Sequence, residues 1–247
     1  MIFDILTIFP GMFSSPLEES IVGKARERGL IEVRVHNIRD FATDKHQMTD
    51  DRPFGGGEGM VMKPEPIVSA LQAIRDIGPP ARNILLSPQG RLFTQEIARE
   101  FSSLPRLTLI CGRYEGIDER VAEYFTDDQI SIGDYVLTGG ELAAMVVVDA
   151  VVRLLPGALG NACSAGSDSF SEPVLEHPQY TRPQNFDGLN VPDVLLSGNH
   201  ESIRRWRRGQ ALLRTSLRRP DLFARLSLSA EDAALLESAR RELDEKK

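Results

Sequence analysis

Apolar and polar positions along the first half of the chain separate into two periods. Phe3–Phe9 reads as a strand that Pro10 ends, and Ile31, Val33 and Val35, set among charged residues, read as a second one. Between them Leu17, Ile21 and Ala25 recur at helical spacing, which predicts a helix over Ser15–Arg28 with Gly29 as its stop. Asn83–Ser87, Leu107–Cys111 and Gln129–Ile132 are short apolar runs of strand length. Helical spacing fills the intervals at Pro66–Ile77, from the capping Thr94 to Phe101, and at Asp118–Phe125. Glu141–Leu155, rich in Val and Ala, reads as a helix buried on most sides. Strands alternating with helices in this way predict an α/β domain with a mostly parallel sheet, whose ligand loops lie at the carboxyl ends of the strands.

Two stretches interrupt the pattern. Asp40–Gly59 is polar and too long for a simple connection, and Gly157–Ser171 is small and polar, either a linker or a loop that orders on binding. Beyond Val174 no strand is expected. Asn199 begins an amphipathic helix with Ile203, Trp206 and Leu213 on one side, and a further helix starts near Ser229. The expected division is an α/β domain over 1–160, a connecting loop over 161–172 and a small, mainly helical domain over 173–247.

Composition narrows the partners. At 247 residues with 41% apolar content, the chain can fill one large domain, or a domain plus a smaller one. No apolar run reaches about 18 residues, so no membrane span is expected. Met1–Pro10 carries Asp4 and no basic leader, so it reads as a strand and not as a targeting segment. Cys111 and Cys163 make no disulfide framework, which suits a reduced cytoplasmic setting. His36, His46, His177 and His200 lack zinc-site spacing, so no metal site is expected. A net charge of −7 argues against a chain that coats nucleic acid indiscriminately, and DNA is not an expected partner. Yet Arg204, Arg205, Arg207, Arg208, Arg214, Arg218 and Arg219 follow one another with no acidic residue among them. That segregation fits a protein meeting a polyanion with one face, or else a solvated helix face with no acid pairing locally.

Three glycine-bearing segments hold the candidate chemistry, because glycine lets backbone amides approach a ligand. Ser87–Gly90 leaves a strand into a turn, Cys111–Gly116 adds an aromatic ring and a carboxylate, and Ser131–Gly140 runs unstructured into the apolar helix. Three such loops at strand ends point to one shared pocket. None is GxGxxG or GxxxxGK[ST], so neither a standard dinucleotide site nor a triphosphate site is indicated.

The strings LLSPQGR, CGRYEGIDER, SIGDYVLTGGEL, DSF, YTRP, VLLSGNH and IRRWR, with DDRPFGGGEGM earlier, closely resemble the bacterial tRNA (guanine-N1)-methyltransferase family, in register to about Arg219. The resemblance implies an α/β fold of the SPOUT class with a trefoil-knotted cofactor site. It implies S-adenosylmethionine against Ser87, Pro88, Gly90, Gly112, Tyr114 and Glu115. The same cofactor would touch Ile132, Gly133, Asp134, Tyr135, Val136 and Leu137, with Gly139 and Gly140. Family members commonly carry Pro where this chain has Ala143. Asp168 matches the catalytic base and Arg153 the arginine that supports it. Asp50, Arg52 and Gly57 would wall the guanosine site. His177, Tyr180, Arg182, Arg204, Arg205, Arg207 and Arg208 would contact tRNA.

The activity so implied is methyl transfer to N1 of guanosine 37, beside the anticodon, in tRNAs with a preceding guanosine. The resemblance brings with it a homodimer with shared active sites and Mg2+ during catalysis. The Glu141–Leu155 helix is a candidate interface, although full burial within one subunit explains its composition equally well. Two other classes stay open on the residues alone: a non-catalytic RNA-binding protein of the same fold, and a phosphate-binding enzyme using Gly55–Gly59. Against the second, no Lys-Ser/Thr follows those glycines.

Overall fold

The computed structural model describes residues 1–159, 168–170 and 172–245. The chain folds as two compact units, Met1–Ala162 and Cys163–Lys247.

Unit 1 is built on a five-stranded sheet: β1 (Ile2–Thr7), β2 (Glu32–Asn37), β5 (Arg82–Leu92), β6 (Arg106–Cys111) and β7 (Asp128–Ser131). The order is β2-β1-β6-β5-β7 and every pairing is parallel. Strand alternation sorts the side chains into two cores. Phe3, Ile5, Ile84, Leu86, Leu107 and Leu109 pack with α1 (Ser20–Glu27), α3 (Gln95–Ser102) and α5 (Glu141–Val152). Leu6, Leu85 and Ile110 pack with α2 (Pro64–Arg75) and α4 (Glu119–Tyr124). A sheet covered on both faces needs strands that are apolar throughout, and β6 is buried at every position.

Of the polar residues buried on these strands, Thr108 leaves its hydroxyl without a hydrogen-bond partner, whereas Asp4 and Arg106 satisfy one another. Asp4 is buried and accepts from Arg106 Nε at 2.6 Å, while His36 Nε2 lies 2.7 Å from its other oxygen. Burial alone would raise the Asp4 carboxyl, but the hydrogen bonds with His36 and Arg106 outweigh it and hold it below the usual carboxylate range.

Some expected boundaries move. The first helix starts at Ser20 instead of Ser15: Ser20 holds a left-handed φ of 55°, which no helix running on from Ser15 could contain, and the Glu18 backbone then packs over Gly23, where a Cβ would collide. The polar stretch Asp40–Gly59 contributes β3 (Asp50–Asp51), paired antiparallel with β4 (Val61–Met62). Ser87–Gly90 is not a free turn. β5 runs on to Leu92 with a bulge, so that both Leu86 and Arg91 face Ile130 of β7.

Unit 2 contains a hairpin of β8 (Asn185–Phe186) and β9 (Leu189–Asn190), then α6 (His200–Arg218), α7 (Pro220–Phe223) and α8 (Ala230–Asp244). Its core is Val174, Ala211, Leu212, Leu213, Leu236 and Ala239. Asn199 caps α6 by accepting from Ser202 N, and Ser229 caps α8 by accepting from Asp232 N. The hairpin contradicts the expectation that strands end at Val174. Asp187 and Gly188, at φ 51° and 83°, make the two-residue turn whose twist best suits a pair of hairpin strands.

Candidate cofactor and RNA-binding sites

The three glycine-bearing segments meet in one cavity of about 360 Å³ at the bulge of β5 and the carboxyl ends of β6 and β7. Ser87, Pro88, Gly112, Tyr114, Glu115, Ile132, Gly133, Tyr135, Val136, Leu137, Gly139 and Gly140 all line it. Ala143, on the first turn of α5, lines it too. Gly90 and Asp134 stand outside the lining. The place of Gly90 in the site is indirect, since a Cβ there would strike the backbone of Gln129 and Ile130, so the bulge can close over β7 only with glycine. Tyr114 adopts a left-handed φ of 60°, a conformation that a non-glycine residue holds only under constraint.

The second and third loops are joined. Gly140 N donates to Gly112 O at 3.0 Å, and Arg113 forms an isolated antiparallel bridge with Gly139. A Cβ on Gly140 would lie 2.8 Å from Cys111 Cα, so close approach of the two backbones depends on glycine here. The Cys111 thiol is buried and pushed well up by that burial, with Glu141 adding to the effect, so it is no nucleophile.

The end of the polar segment, from Gly59 to Met62, docks on the same place. Glu115 N donates to Met60 O at 3.0 Å and Met62 N to Gly116 O at 2.9 Å. Gly59 sits against the Glu115 side chain, with no room for a Cβ. Asp50 is half-buried in β3, while Arg52 and Gly57 are exposed just beyond it. Sequence reading missed Arg113, Thr138 and Glu141. Arg113 and Thr138 line the cavity, and Glu141, wholly buried, holds Arg113 Nε at 2.9 Å. A carboxylate opening an otherwise apolar helix was the available signal, since a buried acid requires a partner.

Two features bear on ligand class. The cavity lies in the size range of small-molecule sites, about 300–1,000 Å³, and mixes apolar walls with turned backbone. It has no glycine-lysine phosphate cradle. The family model described as tRNA (Guanine-1)-methyltransferase TrmD matches residues 1–225. The chain belongs to the TrmD family. Similar proteins named tRNA (guanine-N(1)-)-methyltransferase occur in Syntrophotalea carbinolica, 57% identical over 99% of this chain and 98% of that protein. Those of Geotalea uraniireducens and Dictyoglomus turgidum are 58% and 57% identical, each over 98% of both chains.

The other residues that the TrmD resemblance singled out fall elsewhere. Arg153 ends α5, a 12-residue helix about 18 Å long whose first residue adjoins the cavity. It continues an outward stripe of Leu142, Val146 and Asp149, of which Leu142 is 50% and Val146 45% exposed. The helix is therefore not buried on all sides within one chain. Asp168 is half-buried in unit 2. The rest of its loop, residues 160–167 and 171, with Cys163, lies outside the described residues.

In unit 2, His177, Tyr180, Arg182 and Arg207 line a second, open cavity of about 920 Å³ together with Ile203 and Leu196. The Tyr180 ring centre lies 6.4 Å from that of Trp206. Arg207 thus shares a face with Ile203 instead of opposing it. The arginine cluster is also less cationic than its sequence implies. Arg204 pairs with Glu201 at 2.7 Å, Arg205 with Glu231 at 3.6 Å, and Arg208 with Asp232 at 2.9 Å and Glu172 at 3.0 Å. Glu231 and Asp232 come from α8 and Glu172 from the segment before the hairpin, but Glu201 is on α6 itself, so the expectation that no acid pairs locally fails at Arg204. Among the described residues, Arg207 makes no ion pair.

Proposed function

We propose that the chain methylates N1 of guanosine 37 in tRNAs with a preceding guanosine, taking the methyl group from S-adenosylmethionine bound in the unit 1 cavity. The observation that carries this reading is that the loops forming the cavity lie within a family match spanning most of the chain. When bound, S-adenosylmethionine supplies an electrophilic methyl on a sulfonium. Glu115 adds negative charge at the cavity wall, and Ile132 and Leu137 offer apolar surface to an adenine. Unit 1 is then the methyltransferase domain, unit 2 the tRNA-binding domain, and the cytoplasm the setting in which both substrates meet.

Asp168 is the base that removes the N1 proton, and Arg153 its support. A carboxylate is a much weaker base than the guanine N1 anion, so complete proton transfer is uphill unless the site stabilises the charge left on the guanine. A guanidinium at guanine O6 offsets part of this by stabilising the charge that develops there. Arg153 lies a helix length from the cavity of its own chain, and two observations favour completion by a second copy. The outward stripe of α5 is apolar at Leu142 and Val146, and it leads to Arg153. Antiparallel packing of two such helices about a two-fold axis brings Arg153 towards the amino end of the partner helix, beside its cavity. The same reading includes the trefoil knot, supported by the bulge of β5 across β7 and the return of Gly140 onto Gly112. Among the described residues no group of three His, Cys, Asp or Glu could hold a resident ion, so a Mg2+ in this reading would be held by the substrate, waters and at most one or two carboxylates. No step is routed through it.

Unit 2 presents tRNA with an open cavity and the guanidinium of Arg207, which makes no ion pair among the described residues, in place of a uniformly basic helix. A target in the anticodon loop is unpaired and can be splayed out at small cost. Labelled S-adenosylmethionine and transcripts carrying guanosine or adenosine at position 37 test the function, with nucleoside mass spectrometry as readout. N1-methylguanosine formed only with guanosine 37 is expected; methylation at another position or on another atom overturns the assignment.

A further inference from the structure

Arg113 is the cationic side chain among the described residues that line the cavity, yet its guanidinium is spent on the protein. Its Nε donates to Glu141 Oε2 at 2.9 Å. Its Nη1 donates to the Thr138 carbonyl at 3.1 Å and hydroxyl at 3.3 Å. Its Nη2 lies 3.3 Å from Met12 Sδ, and its Cζ sits 4.6 Å from the Phe9 ring centre. Glu141 is fully committed in turn, since its second oxygen accepts from the Thr7 hydroxyl at 2.8 Å. The Thr7 oxygen then accepts from Phe9 N at 2.9 Å. The guanidinium also fills the space in which a side chain at Gly139 would stand, because a Cβ there would meet Arg113 Nε and Cδ and Glu141 Oε2.

We propose that Arg113, held on the buried Glu141 carboxylate, is a positioning residue that ties the Gly112–Gly116 and Thr138–Gly140 walls of the donor cavity together and so sets affinity for S-adenosylmethionine. A fork of donors is needed for this. One edge answers the carboxylate and another the Thr138 oxygens, which a lysine ammonium cannot do from a single point. The buried carboxylate makes the tie stiff: without Arg113 it would be an uncompensated charge beside the glycine wall. Because the Nε and Nη1 donors of Arg113 are taken by protein acceptors, its effect should fall on donor and demethylated product alike.

The proposal rests on reading the cavity as the donor site, and native protein that binds no S-adenosylmethionine overturns that reading first. With binding established, Arg113→Gln, Glu141→Gln, the double variant and Arg113→Lys are titrated with S-adenosylmethionine and with its demethylated product, alongside thermal melts. Each single Gln variant is expected to raise both Kd values about 10-fold, with the double variant no worse than either, as coupled residues behave. Single-turnover methyl transfer at saturating donor should stay within about 3-fold of native, since the effect is on binding and not on the chemical step. Arg113→Lys keeps a charge beside Glu141. It should melt close to native and still bind about 10-fold more weakly, which covers the case in which Glu141→Gln does not fold. Native-like affinity in Arg113→Lys would overturn the proposal. So would effects of the two Gln substitutions that multiply in the double variant, or a loss for the donor but not its product.

Discussion

Arg207 and Arg208 are neighbours in one basic run, and the structure gives them opposite jobs. Arg208 is two-thirds buried and grips Asp232 through two hydrogen bonds of 2.9 Å, with a third of 3.0 Å to the exposed Glu172. Those with Asp232 clamp α6 to α8. Replacing Arg208 by Ala removes charge-assisted bonds worth roughly 1.5–3 kcal/mol at a partly buried pair, and Glu172 adds at most about 1 kcal/mol. The expected loss is thus about 2 kcal/mol. The single Trp, Trp206, sits on α6 against Tyr180 and reports unfolding of unit 2 by fluorescence. With a urea slope of about 1–2 kcal/mol/M, the midpoint should fall by about 1–2 M.

The loss also has a pH signature. The hydrogen bond from Arg208 holds the Asp232 carboxyl below its ordinary value, against a smaller opposing effect of burial. A depressed folded pKa stabilises above the unfolded value and ceases to do so as pH falls through the folded one. The native and Arg208→Ala curves should therefore converge in acid. Arg207→Ala should leave the midpoint unchanged and lower the slope of log affinity for tRNA against log salt by about 0.7–0.9. An unchanged midpoint in Arg208→Ala, with a salt slope lowered as in Arg207→Ala, would refute this division of roles.

Three further outcomes are expected. Leu142→Glu with Val146→Glu places carboxylates on the outward stripe of α5 and should convert a dimer to a folded monomer without methyl transfer; sedimentation velocity decides, and a monomeric native protein would contradict the reading. Gly140→Ala sets a Cβ 2.8 Å from Cys111 Cα, and should cost about 1–3 kcal/mol in denaturation as well as weaken donor binding. Asp4→Asn leaves Arg106 buried without its charge partner, which should cost about 3–5 kcal/mol at neutral pH. Because the Asp4 carboxyl is held below its ordinary value, that deficit should shrink as pH falls through the folded value, as acid unfolding curves would show.

The sheet of unit 1 was legible from the apolar runs of β1, β6 and the first half of β5 and from the alternation in β2, and the loops after β6 and β7 fall where a parallel sheet puts them. What escaped has physical causes. The bulge of Ser87–Gly90 depends on how Gly90 meets β7, some forty residues away, and no local period encodes it. Arg205 and Arg208 are quieted by Glu231, Asp232 and Glu172, which lie far off in sequence, whereas the partner of Arg204, Glu201, stands one turn before it and was readable as an i,i+3 pair. Glu141 looked like a polar start to an apolar helix, whereas its charge is the anchor of Arg113. The β8–β9 hairpin was readable, since Asp187-Gly188 between Phe186 and Leu189 is the strongest short turn signal, but two-residue strands leave almost no alternation to notice. Arg153 and Asp168 were found only through resemblance, because nothing in local composition separates a loop carboxylate or a helix-end arginine from surface.

The most direct measurement is single-turnover methyl transfer from S-adenosylmethionine to a tRNA transcript carrying guanosine at positions 36 and 37, with native protein and Asp168→Ala compared at saturating donor and enzyme. The account predicts N1-methylguanosine from the native protein and a rate at least about 100-fold lower in the variant, as loss of a general base produces, with tRNA and donor affinities nearly unchanged. A near-native rate in Asp168→Ala would contradict the assignment of the base. No transfer by native protein would contradict the function itself.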